Sequence, residues 1–283
     1  MARIAVVTDS AACLPAELLR EYDIHVVPFE LVWNGHSFRD GVDITPTEFY
    51  RRLREAHSWP TTSAPALGDF ATLYTQLGRD ADGIVSIHAA SELSATLQTA
   101  RLAAEQASPV PVRVIDSRTG ASAEGFVVLA AARAAVAGGS LEEVAAAAEA
   151  VIPRVGLFAT LETLEYLHRG GRIGEAAALL GSQLRLHPIL YLAEGRVKVA
   201  GVTRDRRRAI ERMLDLMAEQ VGRRPMCVSV FHADARQEAE RLEALVHSRF
   251  DCRHFYITEF TPVMGAHTGP GTFGLAFCKR DQE

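Results

Sequence analysis

Twice in the first half of the chain a short run rich in β-branched residues ends on the same polar pair: Val6-Val7-Thr8-Asp9-Ser10 and Val114-Ile115-Asp116-Ser117. Continuous apolar runs of this kind are buried on both faces, as parallel strands are, and parallel strands need long crossovers that helices usually supply. The intervening segments fit. Strand-like Arg3 to Val7, Ile24 to Val32, Gly83 to Ile87 and Val112 to Ile115 alternate with helix-like Pro15 to Tyr22, Pro46 to Ala56, Gly68 to Leu77 and Ser94 to Gln106. This alternation predicts a parallel α/β layer. Thr45 and Pro46 form a helix start, and two alanine-rich helices follow Ile115, the second opening on Ser140 with Glu143 at capping-box spacing. Ligands of open parallel sheets collect beyond the carboxyl ends of the strands. Asp9, Ser10, Asp116 and Ser117 are therefore candidate site residues, and simple capping of the next helices is the equal alternative.

From Gly156 the pattern changes. A strand over Gly156 to Ala159, a helix through Leu167, and a strand pair Ile189 to Leu192 and Val197 to Val202 turning at Glu194-Gly195 precede helices over Ala209 to Gln220 and Ala235 to Ser248. Strands over Met226 to Phe231 and His254 to Phe260, and a last one through Leu275-Ala276-Phe277, complete an α+β second domain. The expected division is 1–155 and 156–283, at Ile152-Pro153-Arg154.

Composition excludes several classes. With 283 residues and a net charge of −5, the chain lacks the basic surplus of a dedicated nucleic-acid binder. Cys13, Cys227, Cys252 and Cys278 have no C-x-x-C spacing, so neither a zinc site nor a disulfide framework is signalled; they read as small core residues, and no metal is expected. Only Met1, Ala2 and Arg3 precede the first apolar run, and no apolar stretch reaches membrane-spanning length, so the expectation is a cytoplasmic protein with no leader and no integral membrane segment. There is no G-x-S-x-G, no P-loop and no H-E-x-x-H.

Five segments carry candidate chemistry. Gly265-Ala266-His267-Thr268-Gly269-Pro270-Gly271 reads as a tight loop between strands, presenting His267 and Thr268 at its tip with Gly269 allowing close approach. The overlapping G-x-G-x-x-G is discarded as a dinucleotide fingerprint, because a strand rather than a helix follows it. Thr61-Thr62-Ser63 precede Ala64-Pro65 on an extended loop, where ordinary helix capping is the plain alternative. Ser91 to Gln98 opens a helix at a strand's carboxyl end, a seat for an anion at Ser91 and Ser94, with an ordinary cap in which Ser94 satisfies its own helix as the plain alternative. Arg169 and Arg172 flank Gly170-Gly171, with Gly170 expected to end a helix in the left-handed conformation, and Arg204-Asp205-Arg206-Arg207-Arg208 is an unusually cationic helix start. Guanidinium groups so placed suit phosphate or a partner's carboxylates, or are simply solvated.

In this order and spacing, Thr8-Asp9-Ser10, Thr62-Ser63-Ala64-Pro65, Ser91-Glu92-Leu93-Ser94-Ala95-Thr96, Ile115-Asp116-Ser117, Gly170-Gly171-Arg172-Ile173, Pro188-Ile189-Leu190, the Arg204 segment and His267-Thr268-Gly269-Pro270-Gly271 resemble the DegV family of bacterial fatty-acid-binding proteins, over essentially the whole chain. The resemblance implies a two-domain α/β DegV-like fold with one long-chain fatty acid between the N-terminal parallel domain and the C-terminal α+β domain. It implies a carboxylate held by Thr62, Ser94 and His267, with Asp9, Ser10, Ser63, Ser91, Asp116, Ser117, Thr268 and Gly269 as further pocket candidates. It also implies that the chain is no enzyme itself and needs no cofactor. A separate ATP-dependent fatty acid kinase phosphorylates the carboxylate, and Arg204, with Arg169 and Arg172, faces that partner. The family's usual glutamine in the Thr62-to-Pro65 motif, and its usual glycine between the serine and threonine of the Ser94-Ala95-Thr96 motif, are replaced by Ala64 and Ala95. A protonated His267 would balance the carboxylate, so binding is expected to weaken as pH rises through the imidazole's bound-state pKa. The competing expectation is a lipid-acting hydrolase or acyltransferase with Ser94 or Ser117 as nucleophile and His267 as base.

Overall fold

The computed structural model describes residues 2–56, 58–181, 186–222 and 224–279. In chain order its N-terminal half holds β1 (Ile4–Asp9), α1 (Ala16–Glu21), β2 (Ile24–Val27), β3 (Glu30–Trp33), β4 (His36–Arg39), α2 (Pro46–Glu55), β5 (Thr61–Ser63), α3 (Leu67–Leu77), β6 (Gly83–His88), α4 (Thr96–Ala107), β7 (Val112–Asp116), α5 (Ala121–Val136) and α6 (Leu141–Val151). The C-terminal half holds β8 (Val155–Thr160), α7 (Glu165–Arg169), β9 (His187–Ala193), β10 (Arg196–Thr203), α8 (Arg206–Val221), β11 (Met226–His232), α9 (Arg236–Arg249), β12 (Cys252–Glu259), α10 (Pro262–Thr268) and β13 (Phe273–Lys279).

The alternating apolar runs do form a parallel sheet, in the order β2-β1-β6-β7. Its register pairs Thr8 with Ile87 and Ile87 with Ile115, which brings Asp9, His88 and Asp116 level at the carboxyl edge. α3 and α4 cover one face through Phe70, Tyr74, Ala100 and Ala103. α5 covers the other and is in turn covered, because β8 and β13 of the second sheet pack on its far side. That second sheet runs β10-β9-β8-β13-β11-β12, antiparallel except for the β11–β12 pair. Its outer face is sealed by α8 and α9 through Met213, Leu214, Met217, Leu242 and Val246. Ser140 and Glu143 make the expected capping box, and Cys13, Cys227 and Cys278 are buried.

Four local expectations are corrected. The run Ile24 to Val32 is two strands in two different sheets: it breaks at Pro28-Phe29, and β3 joins β4 and β5 in a separate three-stranded sheet, order β4-β3-β5, that the sequence reading lacked. Thr61-Thr62-Ser63 is accordingly an edge strand rather than a loop, and none of its hydroxyls caps α3, whose N-cap is Ala66. The His267 segment is helical up to Thr268, because Thr261 accepts from the Met264 N–H and Pro262 occupies the first turn; only Gly269 and Gly271 take positive φ. Gly170 has an ordinary right-handed φ of −75°, and Gly171 supplies the left-handed residue at +70°.

Candidate functional site

The β3-β4-β5 sheet and α2 form a platform against which α10 lies. Gly265 makes this possible: a Cβ there would stand 2.6 Å from the Tyr50 hydroxyl and 2.7 Å from the Phe49 ring. The close approach brings the last turn of α10 to β5. Thr62 Oγ1 and His267 Nε2 meet at 2.7 Å across 205 residues of sequence. On the other side of the imidazole stands Gly170, whose Cβ would lie 2.3 Å from Nδ1. His267 is thus clamped between an edge strand of the first half and the end of α7.

This pair marks the polar end of a cavity of about 420 Å³ between the halves. Its N-terminal wall is built of very small residues, Ala11, Ala89, Gly120 and Ala121, at the carboxyl edge of the parallel sheet and the start of α5. The opposite wall is larger and apolar: Leu157, Ala159 and Leu161 from β8 and its end, Leu190 and Leu192 from β9, Val197 from β10, and the stacked rings of Phe231 and Phe260, 4.7 Å apart. Thr62, Ser63, Ser94, Arg172, His267 and Thr268 supply the polar lining. Volume and lining suit one flexible apolar chain with a small polar terminus.

Burial, reinforced by the nearby Arg172 guanidinium, pushes the His267 pKa down to about 4, so the ring is neutral at pH 7. The positive charge of the site is Arg172, which the sequence reading placed on a partner-facing surface. Its guanidinium turns inward instead: Nε donates to the Leu93 carbonyl at 3.0 Å and Nη1 to the Gly170 carbonyl at 2.6 Å. One arginine therefore ties the Ser94 loop, the His267 buttress and the cavity together. The Ser94 hydroxyl faces the same space, pairing with Thr96 Oγ1 at 2.7 Å and accepting from the Thr96 N–H.

The other candidates separate into those on the wall and those behind it. Ser63 and Thr268 line the cavity; Thr268 Oγ1 donates to the Met264 carbonyl within α10. Asp9 stands one layer back, where its carboxylate accepts from the Ala11 and Ala89 N–H groups, at 3.0 and 3.1 Å, and so fixes two residues of the small-residue wall. Its outer oxygen also meets His88 Nδ1 at 3.1 Å, and His88 Nε2 continues to Ser86 and Tyr74 in a buried chain. Glu124 lies beside this group, and burial together with the Asp9 charge drives its pKa well above the carboxylate range, which favours the neutral form. Ser10 accepts from the Phe29 N–H, Ser91 donates to Asp116, and Ser117 bonds to Thr119; none of these, nor Gly269, lines the cavity. Gly269 instead lets the Tyr166 ring approach, where a Cβ would be 2.3 Å away. Ser117 is fully buried, and the His267 bond runs to Thr62 rather than to Ser94 or Ser117, so the nucleophile–base pair of the hydrolase expectation is not assembled.

The remaining arginines lie outside the cavity. Arg169 pairs with Glu165 and sits 4.4 Å from the Trp59 ring centre, with Tyr166 on the same ring at 4.7 Å. Arg204 is exposed beside Thr163, His168 and His187 in a second depression, and makes no ion pair among the described residues. The cationic start of α8 has a local explanation: Asp205 caps it through the Arg208 N–H, and Arg206 pairs with Glu162 and Glu238. Asp40, Trp59 and Tyr166 were missed; the Trp59-Pro60 step just before Thr61 was the available signal for one of them. Among the described residues no group of His, Cys, Asp or Glu side chains is arranged to hold a metal, and no helix is long and apolar enough to cross a membrane.

A parallel sheet joined through a shared helix to a mixed sheet, with an apolar cavity and one polar end between them, defines a mixed α/β architecture. The chain belongs to the DegV family: the family model, described as "uncharacterised protein, DegV family", matches residues 3–280. A DegV domain-containing protein of Streptomyces coelicolor is 38% identical over 98% of this chain and 99% of its own length. Among solved structures, a DegV family protein from Thermus thermophilus, described for its fatty acid binding, superposes with a TM-score of 0.92 at 36% identity, covering 98% of this chain and 100% of that one. DegV of Bacillus subtilis, described as a fatty acid binding protein, superposes at 0.90 with 31% identity, covering 99% and 100%.

Proposed function

We propose that this protein binds one long-chain fatty acid, its tail along the apolar cavity and its carboxylate at Thr62, Ser94 and His267, and that it presents that carboxylate to a separate ATP-dependent kinase. The observation that carries the reading is the Thr62–His267 contact at the one polar end of an apolar cavity. Burying a tail of roughly fourteen methylenes at about 0.8 kcal/mol each offers on the order of 10 kcal/mol before association costs. The tail gives affinity; the polar end must give discrimination. A buried carboxylate needs both charge compensation and hydrogen-bond donors. Arg172 supplies the charge, the Thr62 and Ser94 hydroxyls donate, and the neutral imidazole orients Thr62. Relatives described as fatty acid binding proteins share the whole length of the chain, which supports the same reading.

We further treat 1–155 and 156–283 as two domains, because each half builds its own sheets and the cavity lies between them. Arg204, exposed and without an ion pair among the described residues, is the residue we assign to the kinase-facing surface. Native mass spectrometry of the protein purified from a bacterial host tests the first part: an intact, non-covalent fatty acid supports it, and a covalent acyl-serine adduct overturns it. Arg204→Ala tests the second. It should retain the lipid and lose acyl-phosphate formation with the cognate kinase; loss of the lipid instead would remove Arg204 from the docking surface.

A further inference from the structure

Outside the polar end of the cavity, one buried ionisable side chain joins the two halves and has no part in the reading above. Asp40 follows β4 and is only 3% exposed. Its backbone is fixed, since its own N–H donates to the Phe29 carbonyl at 2.8 Å. Its Oδ1 reaches across the interface to accept from the Val263 N–H at 3.0 Å, one of the unpaired donors in the first turn of α10. Oδ2 is buried without a hydrogen bond. Burial pushes the Asp40 pKa up against the pull of the Ser10 hydroxyl, the Val263 N–H and the Thr261 hydroxyl, so a carboxylate is a costly group to place there.

What that bond controls is the position of a short helix. Val263 and His267 are four residues apart, so they share a face of α10 and lie about 6 Å apart along its axis. Asp40 and Thr62 belong to the same platform, because β3 pairs with β4 on one side and with β5 on the other. One rigid sheet thus holds α10 at both ends, Asp40 at its start and Thr62 at its His267 end. Between them Gly265 rests on Tyr50, whose hydroxyl donates to the Phe260 carbonyl. Helix α10 has seven residues and little internal hydrogen bonding to resist a shift. We propose that Asp40 is a positioning residue for the Thr62–His267 pair, acting through α10.

This inference rests on the carboxylate reading of the site, and its test separates the two. Delipidated full-length protein is titrated with a long-chain fatty acid and with the alcohol of the same chain length, as wild type, Asp40→Ala, Asp40→Ser and Asp40→Asn. Asparagine keeps an acceptor at Oδ1; alanine and serine do not reach Val263. Loss of alignment at one buried hydrogen bond should lower acid affinity roughly tenfold in the alanine and serine variants, with alcohol affinity within about twofold and asparagine near wild type. A merely structural role would weaken acid and alcohol alike; that result, or no loss in either, overturns the proposal. The serine variant decides if the alanine variant does not fold. In parallel, the imidazole resonances of His267 in ligand-free protein, assigned by their loss in His267→Asn, should move in Asp40→Ser and stay in place in Asp40→Asn. Should wild type bind neither acid nor alcohol, the fatty-acid reading falls, and unmoved resonances in the serine variant would overturn the Asp40 assignment on their own.

Discussion

Gly170→Ala changes one hydrogen to a methyl group and should break the head-group site. The backbone does not require glycine here, since φ is −75° and ψ is −8°. On backbone grounds alone alanine would stabilise the protein by about 0.4–1 kcal/mol, by restricting the unfolded chain. The imidazole reverses that sign. The new Cβ would stand 2.3 Å from His267 Nδ1, more than an ångström inside ordinary van der Waals contact, and 3.1 Å from the Tyr166 carbonyl. The ring must yield, and a displacement of about 1 Å lengthens the 2.7 Å contact with Thr62 Oγ1 beyond hydrogen-bonding range. Overpacking costs typically about 1–3 kcal/mol, and a misplaced bond to a charged group about 1.5–3 kcal/mol of binding. At about 1.4 kcal/mol per decade, fatty acid affinity should fall roughly ten- to a hundredfold, with a lower melting temperature. Displacement of a fluorescent fatty acid, alongside thermal melts of ligand-free protein, measures both. A variant that melts higher than wild type and binds within twofold of it would show that Gly170 does not buttress His267.

Two further outcomes follow from the same site. Because the folded protein holds the His267 pKa near 4 and the unfolded chain near 6.5, the unfolded state binds the proton first, so this residue's contribution to stability is full above about pH 6.5 and is lost as pH falls toward 4. Urea titrations from pH 7.5 to 5 should show a shallower loss of stability in His267→Asn than in wild type, and parallel slopes would count against the depressed pKa. At Gly120 an added Cβ would meet only Leu192 and Leu93, each at 3.9 Å, so Gly120→Leu should fold and push its outer carbons into the cavity. Each displaced methylene costs about 0.8 kcal/mol, so laurate should gain on palmitate in competitive binding; unchanged preference would route the tail elsewhere.

The parallel sheet was legible because its signals were local: β1, β6 and β7 are short runs rich in β-branched residues, and α6 announces itself through Ser140 and Glu143. The platform was not. β4, His36-Ser37-Phe38-Arg39, has neither apolar alternation nor a turn residue inside it, and β5 is three polar residues whose only reason to extend is pairing with β3. For α10 the start signal, Thr261-Pro262, was present, but the glycines at 265, 269 and 271 outweighed it. Those glycines serve close approach to Tyr50 and to Tyr166 and the closing turn, which no local pattern distinguishes from a flexible loop. Thr62, Ser94 and His267 were brought together by family resemblance, and the structure places all three on one cavity. Arg172 shows the limit: a long side chain's direction is set by which carbonyls await it, here those of Leu93 and Gly170.

Helix α5 has buried residues on every side, from Ala121 through Ala132, because one sheet lies beneath it and the other above. Only the first of those sheets exists when the ribosome has made half of the chain. Until β8 and β13 emerge, the upper side of α5 and the alanine wall beside it face water. Thr62 must wait for a partner 205 residues downstream, which at translation rates of about 5–20 residues per second is roughly ten to forty seconds. By that order of synthesis, the cavity between the halves is the last part of the molecule to acquire a roof.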